Sequence, residues 1–399
     1  MSAARQAVPP QPVGEAAPRR LLVAIDEMEV GGSQRQVVNL LSALDRRQWT
    51  PELVYFRSDS FLVGELRRQG VVVHRLSKRG AVDLRFLRDY RALLEQGRYD
   101  LVHAYSFTAE LWTLVALRLM PGSPPLVSSL RNLSLDAPAW QWRLKRLVLQ
   151  GSAATIANSQ AAARAASQLA RWPQERITVI GNGIPEPAPL DPGGRARLRR
   201  ELGVPASRRF GLFVGRLAAI KNLPCLLDAL HRIPPAQRPW MALVGDGPES
   251  AALAAQRARL GLQDDVHLLG ERADAARLMQ AADFLVLCSK QEGLSNAIIE
   301  AMLAGCPVVA TAVGGNVELL EQGRTGLLVL PDDAEALSAA ILRLCEDDPL
   351  RQSLAREALE SARLRFSTRA LAHATEAVYS RVLAERRAAE PVGAAGSLP

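Results

Sequence analysis

The sequence predicts an α/β protein with two doubly wound parallel sheets, and three observations lead to this fold class. Short apolar runs bounded by turn residues alternate with amphipathic stretches of about 10 to 15 residues, which is typical of βα units. The chain has 399 residues and 48% of them are hydrophobic, so it is long enough for two domains. The alternation stops at the Pro- and Gly-rich segment 184–194 and then starts again, which places a domain boundary there.

The predicted strands are the apolar runs themselves. Before the boundary they are LLVAID (21–26), PELVYF (51–56), VVVHRL (71–76), DLVHAYS (100–106), PLVSSL (125–130) and ATIANS (154–159). After the boundary they are RRFGLFVGRL (208–217), MALVGDG (241–247), VHLLGE (266–271), DFLVLCS (283–289) and PVVATAV (307–313). Because such sheets bind ligands at the carboxyl ends of their strands, we expect the site in the cleft between the domains.

The domain organisation follows from the same pattern. We expect a disordered tail at 1–19, a first Rossmann-like domain at 20–185, a linker at 186–207, a second Rossmann-like domain at 208–367, a closing helix at 368–387 and a disordered tail at 388–399. The tails are rich in Pro, Gly and Ala without periodicity, and we assign them no function.

Composition excludes several classes of protein. Four cysteines without a C-x-x-C pair indicate neither a zinc ribbon nor a disulfide framework. No apolar stretch reaches the roughly 18 residues that a spanning helix needs, and the N-terminal segment lacks the apolar core of a secretion signal. We therefore expect a cytoplasmic protein with reduced thiols.

The charge is unevenly distributed along the chain. Residues 1–200 hold 28 Lys and Arg against 17 Asp and Glu, whereas residues 201–399 hold 21 against 24. A basic first half suggests an anionic partner. Charge alone leaves nucleic acid, a phosphorylated ligand and an acidic lipid surface open.

Two adjacent glycines follow the first predicted strand. Gly31 and Gly32 precede a helix that we expect Ser33 to cap. Glycines at this point let backbone N–H groups approach a ligand, with the positive helix end behind them. A tight strand-to-helix turn without a ligand explains the glycines equally well.

Two cations follow the first strand of the second domain. Arg216 lies just beyond this strand, and Lys221 lies at the start of the next helix. Together they can grip a diphosphate, the guanidinium as a planar fork and the ammonium as a point charge. The alternative is a pair of solvated surface cations.

The most informative segment is SKQEGLSNAIIEAMLAGCPVVATAVGG at 289–315. A helix is predicted to begin near Ser295, with the hydroxyl of Ser295 or its neighbours as the cap. The backbone N–H groups of Leu294, Ser295 and Asn296 would then face the cleft, where they can hold a phosphate without a metal ion.

Two acidic residues in this segment are also candidates. Glu300 lies in an otherwise apolar helix, where an unpaired carboxylate is costly to bury, and ribose hydroxyls would serve as its partner. Glu292 precedes Gly293 at the turn before the helix. The alternative makes Glu300 an exposed helix residue and Glu292 a capping acid.

The remaining motifs do not indicate any other kind of enzyme chemistry. LVGDGPES (243–250) lacks the third glycine of a dinucleotide fingerprint, and no P-loop occurs. No D-x-D pair supports a divalent metal, so we expect no metal and no resident cofactor. His103 lies near the carboxyl end of the predicted strand DLVHAYS, and a half-buried structural histidine is the favoured interpretation over a role in chemistry.

One stretch, AWQWRLKRLVLQ (139–150), combines indoles and cations at helical spacing. The residues concerned are Trp140, Trp142, Arg143, Lys145, Arg146 and Leu147. Such a helix could lie on an anionic bilayer. The favoured alternative is a connecting helix whose tryptophans pack on the sheet while its cations face water.

Taken together, several motifs resemble one enzyme family. VGRL (214–217) followed by Lys221, the LVGDGPE turn, VHLLGE and the 289–315 segment closely resemble the retaining glycosyltransferases of family 4, the GT-B group also called group 1 glycosyltransferases. The similarity is strong over 208–330 and includes an E-x(7)-E element, formed by Glu292 and Glu300. Over the first half it is looser and depends on GGSQRQVVNL (31–40), DLVHAYS (100–106), ANS (157–159) and GNGI (181–184).

The resemblance implies a GT-B fold and a role for each matched position. Arg216 and Lys221 would hold the donor diphosphate, assisted by the backbone after Gly293. Glu300 would bind the donor ribose, and Glu292 would face the transferred sugar as a positioning and charge-stabilising group. The other implied contacts are Arg272 at the nucleotide base, and Gly31 and Gly32 at the phosphate and acceptor.

The first domain departs from the family pattern at two places. Many relatives carry a histidine near the reacting sugar at the end of the fifth strand, where this chain has Arg131 and Asn132. Either Arg131 takes an electrostatic role there or the contact is absent. Tyr105 replaces the second histidine of the family's H-x-H, of which His103 is the first. We assign His103, Arg131 and Asn132 to the acceptor or the sugar.

The expected activity is metal-independent transfer of a sugar, with retention, from a nucleotide-diphosphate donor to a hydroxyl group. UDP or GDP is the expected nucleotide, and the acceptor is a glycan or a lipid-linked species of bacterial polysaccharide or lipopolysaccharide assembly at the inner membrane surface. No nucleic acid is expected as a partner. The alternatives are a nucleotide-sugar epimerase, a glycan phosphorylase on the same scaffold, and a non-catalytic sugar-nucleotide binder.

Overall fold

The structure is a computed structural model, which describes residues 17–29, 31–80, 82–131 and 137–389. Most of both predicted tails, 1–16 and 390–399, lies outside these ranges, and so does Asn132. Within the ranges, no helix is both long enough and apolar enough to cross a bilayer.

The first half of the chain forms a seven-stranded sheet with helices on both faces. Its elements are β1 (Arg19–Ile25), α1 (Gly32–Ala43), β2 (Trp49–Tyr55), α2 (Phe61–Arg68), β3 (Val72–Arg75), α3 (Leu84–Gly97), β4 (Leu101–Ala104), α4 (Phe107–Arg118), β5 (Leu126–Leu130), α5 (Ala139–Gly151), β6 (Ala154–Ala157), α6 (Gln160–Leu169) and β7 (Ile177–Val179). The strand order is β3-β2-β1-β4-β5-β6-β7, and neighbouring strands are parallel.

The second half forms a six-stranded sheet of the same kind. Its elements are α7 (Gly194–Glu201), β8 (Phe210–Val214), α8 (Leu223–Arg232), β9 (Trp240–Val244), α9 (Ser250–Arg259), β10 (Val266–Gly270), α10 (Ala275–Ala281), β11 (Phe284–Leu287), α11 (Asn296–Leu303), β12 (Val308–Thr311), α12 (Asn316–Leu319), β13 (Leu327–Val329), α13 (Ala334–Glu346), α14 (Asp348–Phe366) and α15 (Thr368–Ala389). The order is β10-β9-β8-β11-β12-β13, again parallel. The predicted α/β class with two doubly wound sheets is confirmed.

Buried apolar strands hold each sheet between its helices. Residues 21–25 of β1 are completely buried, and so are residues 284–287 of β11, as expected for parallel strands covered on both faces. The last helix, α15, follows the second sheet in the chain but packs in the first core, through residues such as Leu371 and Tyr379. The chain therefore crosses between the domains twice.

Three local features differ from the sequence-based expectation. The strands β7 and β13 were not predicted, because three-residue edge strands carry too short an apolar pattern. The predicted linker 186–207 contains α7, whose Leu198 enters the second core. Arg195 and Arg199 fasten this helix to the buried carboxylate of Asp283, at 2.6 and 3.0 Å.

The helix α5 also differs from the favoured prediction. Trp142 is buried as expected, but Lys145 does not face water, because its Nζ donates to Glu110 Oε2 at 2.5 Å inside the first domain. Trp140 and Leu147 are exposed. The correction has a physical cause, since α4 supplies a carboxylate that compensates the buried ammonium.

Candidate active site

The strand order reverses once in each sheet, and these two points face the same cleft. The reversals fall between β1 and β4 and between β8 and β11. In doubly wound sheets the crevice at such a point receives the ligand. The loops that leave β1 and β11 meet there, because a Cβ added to Gly32 would lie only 3.9 Å from Asn296 Nδ2. Asn182 Nδ2 donates to Asn296 Oδ1 at 2.8 Å, which links the domains directly.

Arg216 lies in a tight turn at the end of β8. Its side chain is exposed and has no ion pair among the described residues. The neighbouring glycines shape the turn, since a Cβ on Gly245 would lie 2.0 Å from the Gly215 carbonyl oxygen and one on Gly247 would lie 2.3 Å from that of Leu217. Sequence reasoning assigned no role to the two glycines of this G-x-G segment. In the structure they let the chain pass close to the backbone of the Arg216 turn.

Lys221 and Glu292 form an ion pair at the rim of the second sheet. Lys221 Nζ donates to Glu292 Oε1 at 2.5 Å, and Ser289 Oγ donates to the same oxygen at 2.6 Å. Both side chains of the pair are mostly buried, with 22% and 11% of their surfaces exposed. Lys221 ends a 3-10 turn just before α8, and the structure therefore brings it beside the acid of the β11 loop.

The N-terminus of α11 opens toward the cleft without a side-chain cap. The helix starts at Asn296, close to the predicted start, but the predicted cap by the Ser295 hydroxyl is absent. The backbone N–H groups of Leu294, Ser295 and Asn296 donate no hydrogen bond within the described parts of the chain. These three N–H groups are therefore available to an anion.

A second glycine pair supports the loop between β11 and α11. A Cβ on Gly314 would lie 1.8 Å from the Glu292 carbonyl oxygen, and one on Gly315 would lie 2.1 Å from that of Gly293. Gly315 N also donates to the Gly293 carbonyl at 2.7 Å. Sequence reasoning quoted these glycines without a role. The sequence does contain a signal for this support. A glycine pair follows β9, which neighbours β8, and another follows β12, which neighbours β11.

Glu300 lies on the first turns of α11 and is half-buried. Its carboxylate has no hydrogen-bond partner in the described chain. Burial raises the pKa of Glu300, and the positive charge of Arg35, on α1 of the opposite domain, partly offsets this rise. The alternative of a fully exposed helix residue does not hold.

The glycine turn before α1 also differs from its prediction. Gly31, and not Ser33, is the N-cap, and the helix already includes Gly32. Gly31 has extended backbone, and a Cβ there would lie 2.5 Å from Gln34 Oε1. Gly31 has no side chain to cap α1, and Gly32 at this turn lines the smaller of the two cavities in the cleft.

Two cavities lie along the cleft. The larger, of about 960 Å³, is lined by Arg216, Gly245, Gly247 and Arg272, among others. Arg272 forms two hydrogen bonds of 2.8 Å with Asp274. The smaller, of about 410 Å³, is lined by Glu27, Gly32, Ser33, Gln34, Gln36, Arg131, Asn158, Asn182, Gly293, Leu294 and Asn296. The structure describes no group of three or more His, Cys, Asp or Glu side chains able to hold a metal ion.

His103 is a core residue. It is 1% exposed, and both ring nitrogens are engaged, Nδ1 with the Tyr379 hydroxyl at 2.6 Å and Nε2 with Ser129 Oγ at 2.8 Å. Burial, together with the nearby charge of Arg131, lowers the pKa of His103 well below its usual value. This geometry supports the structural interpretation of His103 over contact with a substrate.

Arg131 lies directly after β5 and reaches the smaller cavity. Its Nη1 donates to Asn182 Oδ1 at 2.8 Å, and its guanidinium lies over the Tyr105 ring at 5.2 Å. Sequence reasoning missed the groups that fix this strand end. Glu110 Oε1 accepts from the Ser129 backbone N–H at 2.7 Å, and Lys145 Nζ donates to the Ser129 carbonyl at 3.0 Å.

Two Rossmann-like domains that face each other across a cleft define the GT-B fold. Residues 208–347 match the family model "Glycosyl transferases group 1", and residues 30–186 match "Glycosyltransferase Family 4". The D-inositol 3-phosphate glycosyltransferase of Thermobispora bispora is 30% identical over 331 residues, which cover 76% of this chain and 75% of that protein. The chain therefore belongs to the group 1 glycosyltransferases of family 4, and the resemblance seen in the sequence is confirmed.

Two further proteins are similar to this chain. The lipopolysaccharide core biosynthesis glycosyltransferase LpsD of Rhizobium meliloti is 32% identical over 215 residues, 54% of this chain and 60% of that protein. Among solved structures, Anabaena Alr3699/HepE in complex with UDP has a TM-score of 0.81 and 28% identity, covering 91% of this chain and 100% of that one. The complex of the same protein with UDP-glucose has a TM-score of 0.77, covering 90% of this chain and 99% of that one.

Proposed function

We propose that this glycosyltransferase moves a sugar, with retention and without a metal ion, from a nucleoside diphosphate sugar to an acceptor hydroxyl. One observation carries the proposal. The uncapped N-terminus of α11 lies beside the Lys221–Glu292 pair, on the same sheet edge as the unpaired Arg216. A diphosphate placed there would meet two cations and several free N–H groups.

The leaving group is the part of the reaction that these residues stabilise. When the bond between the anomeric carbon and the phosphate oxygen breaks, negative charge develops on the diphosphate. Lys221 has three N–H donors, of which the Glu292 bond uses one, so two remain for phosphate oxygens. Together with Arg216 and the α11 N–H groups, they supply the charge stabilisation for which other enzymes use a divalent cation.

Retention follows if the acceptor attacks from the face that the diphosphate leaves. The acceptor oxygen then bonds to the anomeric carbon while a leaving phosphate oxygen takes the acceptor's proton. Glu292 suits a positioning role in this step, because Lys221 and Ser289 both hold its Oε1. Its Oε2 remains for a sugar hydroxyl, and no covalent sugar–enzyme bond is needed.

The donor nucleotide and ribose are assigned to the second domain. Glu300 is half-buried without a partner in the described residues, which supports hydrogen bonds to the ribose hydroxyls. Arg272 and Arg216 line the larger cavity, and the start of α11 lines the smaller one, which supports binding of the base in the larger cavity and of the diphosphate between Arg216 and α11. UDP is the first nucleotide to test, because Anabaena Alr3699/HepE holds UDP and is 28% identical to this chain.

The proposed acceptor is a glycan or a lipid-linked saccharide of bacterial polysaccharide or lipopolysaccharide assembly, reached from the cytoplasmic face of a membrane. The lipopolysaccharide enzyme LpsD among the relatives supports this choice. On α5, Trp140 and Leu147 are exposed beside Arg143, a combination that suits an anionic bilayer surface. Flotation with anionic liposomes at low salt tests the membrane part, and a protein that stays at the bottom of the gradient contradicts it.

The experiment for the whole proposal is a thermal-shift panel of UDP, GDP, ADP and their sugars. A ligand of the folded state raises the melting temperature in proportion to the logarithm of its concentration over its Kd. We expect one nucleoside diphosphate to stabilise the protein equally with and without EDTA. The anomeric configuration of the product, read by NMR, tests retention. A panel without any stabilising nucleotide would overturn the proposal.

A further inference from the structure

The guanidinium of Arg131 is a charge that the described protein does not neutralise. The side chain is half-buried and its Nε is a buried donor without a hydrogen-bond partner. Of its five N–H donors, only one from Nη1 is engaged within the described residues, by the neutral amide of Asn182. No carboxylate of the described chain lies within ion-pair distance of Arg131. A partly desolvated cation of this kind favours an anionic ligand.

The position of Arg131 is fixed from three sides. Asn182 holds Nη1 at 2.8 Å, and the Tyr105 ring lies beneath the guanidinium. The strand that delivers Arg131 is fastened at Ser129 by the buried Glu110–Lys145 pair. A guanidinium that is already held in place loses less conformational entropy when it forms hydrogen bonds to an anion. A solvated surface arginine would need none of these contacts.

The cavity that holds Arg131 is separate from the one that holds Arg216. The two sets of lining residues share no member. On the function proposed above, the larger cavity takes the nucleotide. The smaller cavity is lined by the start of α11, where the diphosphate is proposed to end, and it then takes the transferred sugar and the attacking acceptor beside that diphosphate.

The other walls of the smaller cavity suit a saccharide. They provide the neutral side-chain amides of Gln34 and Asn158 for hydroxyl groups. Glu27 also lines it, and burial together with the charges of Asp26 and Glu29 raises the pKa of Glu27. Glu27 and Arg131 form no ion pair. Arg131 is thus the one cation among the described lining residues.

We propose that Arg131 is a specificity-determining residue that selects a saccharide bearing a carboxylate or a phosphate ester. The planar fork matches the two oxygens of either anion. The anion belongs either to the transferred sugar, as in a uronosyl donor, or to a phosphorylated acceptor. Both sources present the same chemistry to the guanidinium. The inference depends on the proposed function, because that function places the saccharide in this cavity.

The test compares matched charged and neutral ligands by isothermal titration calorimetry on the full chain. For the donor, the pair is UDP-glucuronate and UDP-glucose, or the corresponding pair of the nucleotide that the panel selects. For the acceptor, the pair is glucose 6-phosphate and glucose, added to protein saturated with UDP. The variants are Arg131→Gln and Arg131→Lys. Arg176→Gln, which removes an exposed arginine stacked on Trp172 outside both cavities, is the control.

We expect the wild type and Arg176→Gln to bind one charged ligand about tenfold to a hundredfold more tightly than its neutral partner. Arg131→Gln should abolish that preference, and Arg131→Lys should restore part of it. The pair that shows the preference identifies the source of the anion. Melting temperatures confirm that the variants are folded, and the Lys variant gives a second reading if the Gln variant is unstable.

Two results would overturn the inference about Arg131. One is equal binding of the charged and neutral members of both pairs by the wild type. The other is an equal loss in Arg131→Gln for UDP, UDP-glucose and the charged ligands, which would make Arg131 a diphosphate contact. A protein that binds no nucleoside diphosphate contradicts instead the function on which the inference depends.

Discussion

At the scale of single residues, Lys221 is the side chain on which the proposed donor site depends most. It is one of four lysines in the chain, and its ammonium is held by Glu292 next to the open end of α11. We expect Lys221→Ala to weaken binding of the donor nucleotide by about tenfold to a hundredfold, because a charged hydrogen bond to phosphate is lost. Calorimetric titration with the nucleotide measures this change.

Lys290 provides the matched control for Lys221. It lies on the loop after β11, is 54% exposed and, among the described residues, forms an ion pair only with Asp332, at 3.3 Å. Lys290→Ala should therefore bind the nucleotide as the wild type does. Equal affinities of Lys221→Ala and the wild type would remove Lys221 from the donor site.

His103 predicts a dependence of stability on pH. Its pKa in the folded protein lies well below the usual value, because burial disfavours the charged ring. In the unfolded chain the ring takes up a proton near pH 6.5, so the unfolded state binds more protons below that pH. The His103 contribution is therefore complete above pH 6.5 and is lost on acidification, by up to about 1.4 kcal/mol per pH unit.

Urea unfolding at pH 7.5 and pH 5.5 measures this contribution. The wild type should lose more free energy of unfolding between the two pH values than His103→Gln does. The change in the free energy of unfolding between the two pH values is compared for the wild type and His103→Gln. This comparison removes the effect of other titrating groups and the constant cost of the substitution itself. Identical slopes would mean that His103 is not neutral in the folded protein.

At the scale of elements, the site depends on loops that a second layer of glycines supports. Gly315 has a φ of −75°, which alanine adopts without strain, so the substitution is opposed by close contacts of the added Cβ, with the Gly293 carbonyl group and with Leu294 Cα. We expect Gly315→Ala to destabilise the protein by about 1 to 3 kcal/mol. It should also weaken nucleotide binding, because the loop before α11 must move.

Gly64 in α2 is the control for this substitution. A Cβ there meets nothing within 4 Å, and the residue lies inside an exposed helix face. Gly64→Ala should leave binding unchanged and stabilise the protein by about 0.5 to 1 kcal/mol. If Gly315→Ala behaved in the same way, the loop would not depend on the close approach of the two backbones.

Elements were predictable from sequence where the signal is local. The apolar runs of β1 and β11 and the break before α11 are patterns within one segment, and the structure has these elements. The Glu110–Lys145 pair was not predictable, because the two residues are 35 positions apart and only the packing of α4 on α5 brings them together. The roles of Gly245 and Gly315 depend on a neighbouring strand in the same way.

At the scale of the whole molecule, the two domains are joined by two chain crossings and by contacts across the cleft. At the crossings, Ile184 N donates to the Phe366 carbonyl at 2.8 Å. Across the cleft, the carboxylate of Glu318, in α12, accepts from the Gln160 and Ala161 N–H groups at the start of α6, each at 2.8 Å. An acid at a helix N-terminus satisfies free donors and is favoured by the helix dipole. The relative position of the domains is thus set partly by one side chain.

Glu318→Ala should release this contact and shift the nucleotide-free protein toward more open arrangements of the domains. The carboxylate is only 18% exposed and accepts two hydrogen bonds, so we expect the balance between open and closed forms to change by about tenfold or more. Small-angle scattering should give a larger radius of gyration for the variant without nucleotide, and saturating nucleotide should bring it back toward the wild-type value. Glu321→Ala, whose carboxylate is 55% exposed and pairs with Arg324 within the same domain, should scatter as the wild type does. Superimposable profiles for Glu318→Ala and the wild type would show that the chain crossings and Asn182 hold the cleft without Glu318.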